Sequence, residues 1–354
     1  MSLFAIAFQP IRTIAATATA PASICSVWSV GAGILLAFAW LAWRRRRRGR
    51  RVRFDVLFRS VFARRVLLHR STRADLAYAA LSLAVLGALI GWAVISSGWI
   101  SDGVAAALAA RFGEAPASAP SLARDAARTL ILFLAYDLGF FVDHTLKHRI
   151  PALWELHKAH HSAEVLTPLV NFRVHPLDSL ILANNLALFI GVAGGAAQYA
   201  LGAQASSFTL FDQNVLMLLY IYLTAQLQHT QIWIPFTGIW GRLFMSPAHH
   251  QLHHSADPAH FNCNLGASLA LWDWLSGSLR MPPAEPPRLT YGASGHMHDP
   301  HGVMGLLVDP AMNAFATLYR PLFGMRGEPQ TATGGSEPAA IAAQPLERPV
   351  PAAS

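Results

Sequence analysis

The stretch His144-Thr-Leu-Lys-His148-Arg149-Ile-Pro151-Ala-Leu-Trp154-Glu-Leu-His157-Lys-Ala-His160-His161 decides how this chain is read. His144 and His148 stand four residues apart. His157, His160 and His161 follow at three-, four- and one-residue steps. On an α-helix, residues three and four apart share a face. Each cluster can therefore aim its imidazoles at one point. Pro151 lacks the N–H that would continue the first helix, so the next helical stretch is read over residues 153–163.

A third box lies downstream, Ser246-Pro247-Ala-His249-His250-Gln-Leu-His253-His254-Ser255. Ser followed by Pro predicts a helix start with proline in its first turn. His249 and His253 are also four apart. The recurrence of His-x-x-His-His from the second box favours His250, His253 and His254, with His249 as a neighbour that orients them. The chain has 16 histidines. A lone histidine is usually a satisfied core or surface residue, which does not account for three such boxes. Imidazole suits Fe, Zn, Cu and Ni. Eight aligned imidazoles exceed what one ion needs, so two metals are expected.

Working outward, the 354 residues are 53% hydrophobic and 13% charged, with a mean hydropathy of +0.35. Soluble domains carry about 25% charged residues, so this is a membrane composition. Residues 24–43 and 76–100 each reach the roughly 20 residues that span a bilayer. Residues 180–201 and 210–227 are further candidates. Residues 129–142 form a shorter run that contains Asp137 and is expected to extend upstream or pack inside the bundle. Four to five spans follow. The net charge of +8 is concentrated after the first run, at Arg44–Arg48, Arg50, Arg51 and Arg53. Beside a span, such a run marks the cytoplasmic side and not a nucleic-acid site. Following the chain from there puts 145–178 and everything after His229 on the same side, so all three boxes share one face of the membrane. Cys25 and Cys263 fall on opposite sides and give no disulfide framework. Residues 1–23 lack a basic start and a cleavage site, so no signal peptide is read. Residues 324–354 are rich in Pro, Ala, Gly, Ser and Thr and are expected to be disordered.

Two single histidines complete the candidate ligand set. His229 ends the fifth span at the depth of His144, and His175 precedes Pro176 before the fourth. His260 is a weaker candidate. His69, His296, His298 and His301 read as surface residues. Carboxylates read as helpers, because a ligating histidine usually donates its other N–H to a carboxylate or carbonyl. Asp137 lies seven residues before His144 on one helical face, and acids inside spans are functional by default. Asp273, within Trp272-Asp273-Trp274, is a second candidate to orient a box. A site at the cytosolic surface, beside apolar helices, lets a lipid chain enter from the bilayer while electrons arrive from the cytosol. No nucleotide fingerprint is present, so the electrons come from a separate reductant. The alternative is a divalent-metal-binding or transport protein without oxidation chemistry. Transporters place binding residues near the midplane, not at one face. A hydrolase would need a water-activating carboxylate, for which Glu155 and Glu164 are the nearest.

These residues resemble a known family. Tyr136-Asp137, His144 to Arg149, Leu153 to Ser162, Asn171-Phe172-Arg173-Val174-His175-Pro176 and Ser246 to Ser255, with Asp257-Pro258, Asn264 and Trp272-Asp273, are similar to the fatty acid hydroxylase/sterol desaturase superfamily. The resemblance covers about residues 125–278. Leu265, Ser276-Gly277-Ser278 and Val142-Asp143 depart from the usual pattern. It implies a membrane-embedded di-iron oxygenase that hydroxylates or desaturates lipid C–H bonds with O2. The donor would be ferredoxin-like, or cytochrome b5-like with a reductase, and zinc can stand in for iron in purified protein. The implied ligands are His144, His148, His157, His160, His161, His250, His253 and His254, with His229 and His175. The expected organisation is an N-terminal segment (1–23), transmembrane helices with a basic loop (24–124), a catalytic domain (125–280), a cytosolic extension (281–323) and the tail (324–354). The expected fold is an all-α membrane protein with a cytosolic His-rich helical cap over a dinuclear site. The expected location is the plasma (inner) membrane, with the site facing the cytoplasm.

Overall fold

A computed structural model describes residues 15–83, 93–115, 119, 121–295 and 298–319. The tail read over 324–354 and the middle of the span read over 76–100 lie outside the described residues, as does His296.

The protein is all-α; among the described residues the one small sheet is a hairpin pairing Thr209–Leu210 with Gln213–Asn214. Three helices among the described residues are long and apolar enough to cross a membrane. They are α1 (Val27–Arg47), α4 (Leu122–Arg149) and α6 (Pro176–Leu201). Helix α7 (Val215–Gln228) is apolar but shorter and contains a π-turn at Ile221–Ala225. The run read over 129–142 does extend upstream, to a helix of 28 residues.

The second expected span needs correction. Helix α2 (Arg70–Leu81) opens it, but no single helix covers 76–100. Around Ala93 and Ile95 the backbone is held by the Asn184 side chain, which accepts from the Ile95 N–H at 2.9 Å and donates to the Ala93 carbonyl at 3.3 Å. Ser96 then caps a new helix, α3 (Ser97–Phe112), which starts near the end of the expected span and runs beyond it. Its partner is α6, where glycines permit backbone-to-backbone approach. A Cβ at Gly195 would come within 2.3 Å of the Ser101 carbonyl oxygen, and one at Gly191 within 2.6 Å of the Ile100 Cβ.

Helix α4 descends beside α6 to its end at Arg149, and helix α5 (Pro151–His161) begins at once, with Pro151 in its first turn. The far end of α4 is tied to the hairpin: Thr129 Oγ1 accepts from the Phe208 N–H at 2.8 Å, and Asn214 donates to the Thr129 carbonyl at 2.8 Å. At the opposite end sit the C-termini of α1 and α4 and the N-terminus of α6. Trp40 on α1 donates to the Trp233 carbonyl at 2.9 Å, and Arg44 pairs with Glu285 at 2.5 Å. The arginine run and the histidine boxes therefore share one end of the bundle, as the charge pattern implies.

Over that end lie the cap elements: α8 (Pro247–His253), α9 (Leu271–Ser276) and α10 (Asp309–Tyr319). Helix α10 packs on α5. The Arg173 guanidinium, fully buried, ties the periphery together. It donates to Asp75 at 2.6 Å, to the Ala159 carbonyl at 3.1 Å and to Ser162. A buried guanidinium survives only when paired and hydrogen-bonded, and Arg173 is both.

Candidate metal centre

Nine histidines from α4, α5, α8 and the residues that follow α7 and α8 converge in two adjacent groups that could each hold a metal ion. One comprises His144, His148, His157, His161 and His253; the other comprises His160, His229, His250 and His254. In the first, the ligand atoms lie within 4.8 Å of one another.

The helical spacing explains the sorting. Each i, i+4 pair serves one group: His144 with His148, His157 with His161, His250 with His254. The residue three on from a member, His160 after His157 or His253 after His250, reaches across to the other group. Helices α5 and α8 thus each lend ligands to both groups, while α4 serves one. Trp154 walls the first group, with its ring centroid 5.2 Å from His148 and 5.3 Å from His161.

In the four-histidine group the Nε2 atoms face one another. His229 Nε2 lies 3.0 Å from that of His250, 3.1 Å from that of His254 and 3.2 Å from that of His160. A neutral imidazole has one N–H and one lone pair, so one hydrogen on His229 Nε2 satisfies a single contact of the three. A cation at the centre satisfies all of them. Imidazole nitrogens bound at roughly 2.0–2.1 Å stand about 2.9 Å apart at right angles and about 3.3 Å apart in a tetrahedron. The observed edges fall between those limits, so the donor set fits a transition-metal ion.

In the five-histidine group the outward nitrogens fix the tautomers. His144 Nδ1 donates to the Leu265 carbonyl at 2.8 Å and His253 Nδ1 to the Cys263 carbonyl at 2.9 Å. A carbonyl can only accept, so the proton sits on Nδ1 and the Nε2 lone pair is free for an ion. His157 Nδ1 donates to Asp178 Oδ2 at 2.9 Å. The Nε2 atoms of His148, His161 and His253 are buried without a protein partner.

Burial pushes the imidazole pKa values down, and neighbouring imidazoles push them further. His229 and His253 fall to about 3. His160, His161, His250 and His254 also fall well below the ordinary histidine value. All six are neutral at physiological pH, the form a metal requires.

The remaining sequence-derived candidates sit elsewhere. His175 is not brought into either group. Its Nδ1 accepts from the Leu177 N–H at 3.2 Å, capping α6, and its Nε2 donates to the Leu307 carbonyl at 3.0 Å. His249 contacts no ligand histidine: its Nδ1 lies 2.6 Å from Ser246 Oγ and 3.2 Å from the Ser246 N–H, closing a capping box at the start of α8. Asp137 contacts none either. It accepts from Ser268 N–H and Oγ at 2.9 and 2.6 Å, from Leu269 N–H at 3.3 Å and from Trp272 Nε1 at 2.8 Å. Asp273 accepts from the N–H groups of Leu265 and Gly266, both at 2.8 Å. Both carboxylates act one link further out than the sequence suggests, anchoring the loop whose Leu265 carbonyl receives His144. His260, the weaker candidate, joins neither group and bonds Ser255; of the histidines read as surface residues, His69 caps α2 and His298 bonds Asp309. His301 is not the surface residue expected; its side chain is 5% exposed and lies against Arg173.

Sequence reading missed Asp178, the carboxylate in direct contact with the candidate ligand His157. An acid in the first turn after Pro176 reads as an ordinary helix-start preference, which hides it. Lys147 and Asp143 were missed as well. Both are buried, 2.5 Å apart, and Lys147 also pairs with Asp178.

Residues 129–278 match the family model described as fatty acid hydroxylase. Similar curated proteins include an ornithine lipid hydroxylase of Rhizobium tropici, 30% identical over 42% of this chain and 40% of that protein. A cholesterol 25-hydroxylase of Rattus norvegicus is 30% identical over 48% of this chain and 52% of that protein. A Delta(7)-sterol 5(6)-desaturase of Aspergillus fumigatus is 32% identical over 43% and 48%. The chain thus spans about half the length of the curated relatives it matches or less. No solved structure matches it.

Proposed function

Since residues 129–278 belong to the fatty acid hydroxylase/sterol desaturase superfamily, we propose that this chain is a membrane-bound di-iron oxygenase that hydroxylates or desaturates a lipid C–H bond. The observation that carries the reading is the convergence of nine histidines, eight of them buried and His148 half-buried, into two adjacent groups at one end of an apolar bundle. Residues 125–280 form the catalytic unit. His144, His148, His157, His161 and His253 hold one metal, and His160, His229, His250 and His254 the other.

Two irons bound there would supply the activation of O2 needed to take hydrogen from an unactivated C–H bond. The chain's own residues do the rest. The carbonyls of Leu265 and Cys263 and the Asp178 carboxylate hold imidazole tautomers and ring orientations. Burial keeps bulk water from the ligands. The apolar helices α4 and α6 meet the site at their ends, so an acyl or sterol body lying in the leaflet can present its chain without leaving the membrane. Electrons come from an external donor, ferredoxin-like or cytochrome b5-like, at the cytosolic face of the inner membrane. The names of these relatives cover ornithine lipid, cholesterol and sterol, which supports a lipid as the substrate class.

A hydrolytic reading is less well supported. Glu155 is engaged by Lys158 at 2.6 Å and Asn313 at 3.1 Å, and Glu164 by Arg70 at 2.8 Å. Among the described residues no carboxylate joins either histidine group.

The test is a comparison of lipid extracts from cells producing the protein with those producing a His160→Ala/His254→Ala variant. Lipids that gain one oxygen or lose two hydrogens only with the unaltered protein are expected. Absence of any such lipid, together with no lipid-dependent O2 uptake by the iron-loaded, reduced protein, contradicts the proposal.

A further inference from the structure

We propose that Asp178, clamped by Lys147, is a positioning residue that makes the five-histidine group the tighter of two inequivalent metal centres. This rests on the metal-binding reading above and adds an order of affinity to it.

The two groups differ in what stands behind their ligands. In the five-histidine group, three Nδ1 atoms are engaged: His144 by a carbonyl, His253 by a carbonyl and His157 by Asp178. In the four-histidine group the Nδ1 atoms of His229 and His250 are buried and meet no protein acceptor, and His160 has only the Arg173 backbone beside it. An outer partner fixes ring orientation and raises ligand basicity, and its loss typically costs about 10–100-fold in metal affinity.

Asp178 is the strongest of these partners because it alone is a carboxylate. It is 1% exposed, and its pair Lys147 has a side chain 4% exposed. The Lys147 ammonium also meets Asp143 at 2.5 Å and the Asp178 backbone carbonyl at 3.2 Å. A buried ammonium needs such partners, since breaking a buried pair leaves an uncompensated charge. Lys147 joins α4 to the first turn of α6, so the carboxylate is fixed relative to both helices before any ion binds. Two carboxylates and one ammonium leave one net negative charge on this network, in contact with His157 of the five-histidine group. That charge favours a cation in the nearer group, through a low-dielectric interior that screens little.

The experiment is a Co(II) titration of the full-length, detergent-purified protein after chelation, followed by absorbance, with the thermal midpoint of the metal-free protein as a second readout. The unaltered protein binds in two resolved steps. Asp178→Asn weakens the tighter step by about 10–100-fold and leaves the weaker one in place, whereas His229→Ala removes only the weaker one. An unchanged tighter step in Asp178→Asn overturns the inference. So does an equal loss at both steps, which marks a general structural role, or a loss confined to the weaker step. Should Asp178→Asn fail to fold, Asp178→Glu keeps the charge but displaces the carboxylate, and the same selective weakening is expected. Two steps of equal affinity in the unaltered protein overturn this inference alone. No Co(II) binding at all overturns the metal reading with it.

Discussion

The neutral state of the buried imidazoles has a consequence in acid. In an unfolded chain these histidines protonate near 6.5, whereas His229 and His253 in the fold resist until about 3. Between those values the unfolded state binds more protons, so stability rises with pH and is lost as pH falls through this window. Protons also compete with the ion for the same nitrogens. We expect metal to be retained above the ordinary histidine range and released progressively below it, as read by metal analysis after dialysis; release only above that range contradicts the account. A second expectation concerns Asp273. Replacing it with Asn turns an acceptor toward the Leu265 and Gly266 N–H groups into a mixed donor, and each orphaned donor costs about 1–3 kcal/mol. The thermal midpoint should drop, and the five-histidine group, whose His144 leans on Leu265, should lose affinity. A wild-type midpoint in Asp273→Asn would show that the loop is held some other way. At this scale the convergence of the box histidines was legible, because i, i+4 spacing is local. Asp178 was not, because its contact with His157 spans two helices and depends on the turn at Pro151. His175 misled because a histidine capping a helix beside proline looks the same in sequence as one binding a metal.

Helices were legible where apolar length alone decides them, as in α1 and α6, and the Ser-Pro start of α8 was legible from its turn chemistry. Helix α3 was not, because its small residues (Ser, Gly and Ala) fall mostly outside the expected spans and show no apolar face. They serve instead to approach the glycine face of α6, a tertiary reason no local pattern carries. The break before it depends on the Asn184 amide 91 residues from Ala93, which is equally invisible locally. Gly195→Leu should therefore separate α3 from α6, because any Cβ there meets the Ser101 backbone. Overpacking of this kind costs about 1–3 kcal/mol or more. The expected readout is a lowered midpoint and a lowered folded yield in detergent, with metal stoichiometry of the surviving protein unchanged, since α3 carries no ligand. Normal stability in Gly195→Leu would contradict the close packing.

For the whole molecule, the arginine run after α1 and the three boxes lie at one end of the bundle, and the 202–209 connection lies at the other. Single cysteines at Gln204 and Glu285, in a Cys25→Ser/Cys263→Ser background, should label from opposite sides of sealed vesicles; labelling from the same side would overturn the topology. That arrangement was readable from charge placement, because positive charge follows the cytosolic ends of spans. The pairing of nine histidines into two groups was not, because box membership does not say which imidazole crosses to the neighbour. The central claim is that the groups hold two ions, and metal content measures it most directly. Purified protein should carry two metal ions per chain, one fewer in His144→Ala/His148→Ala and one fewer in His250→Ala/His254→Ala. A single ion in the unaltered protein, or two that survive both double replacements, would contradict the account.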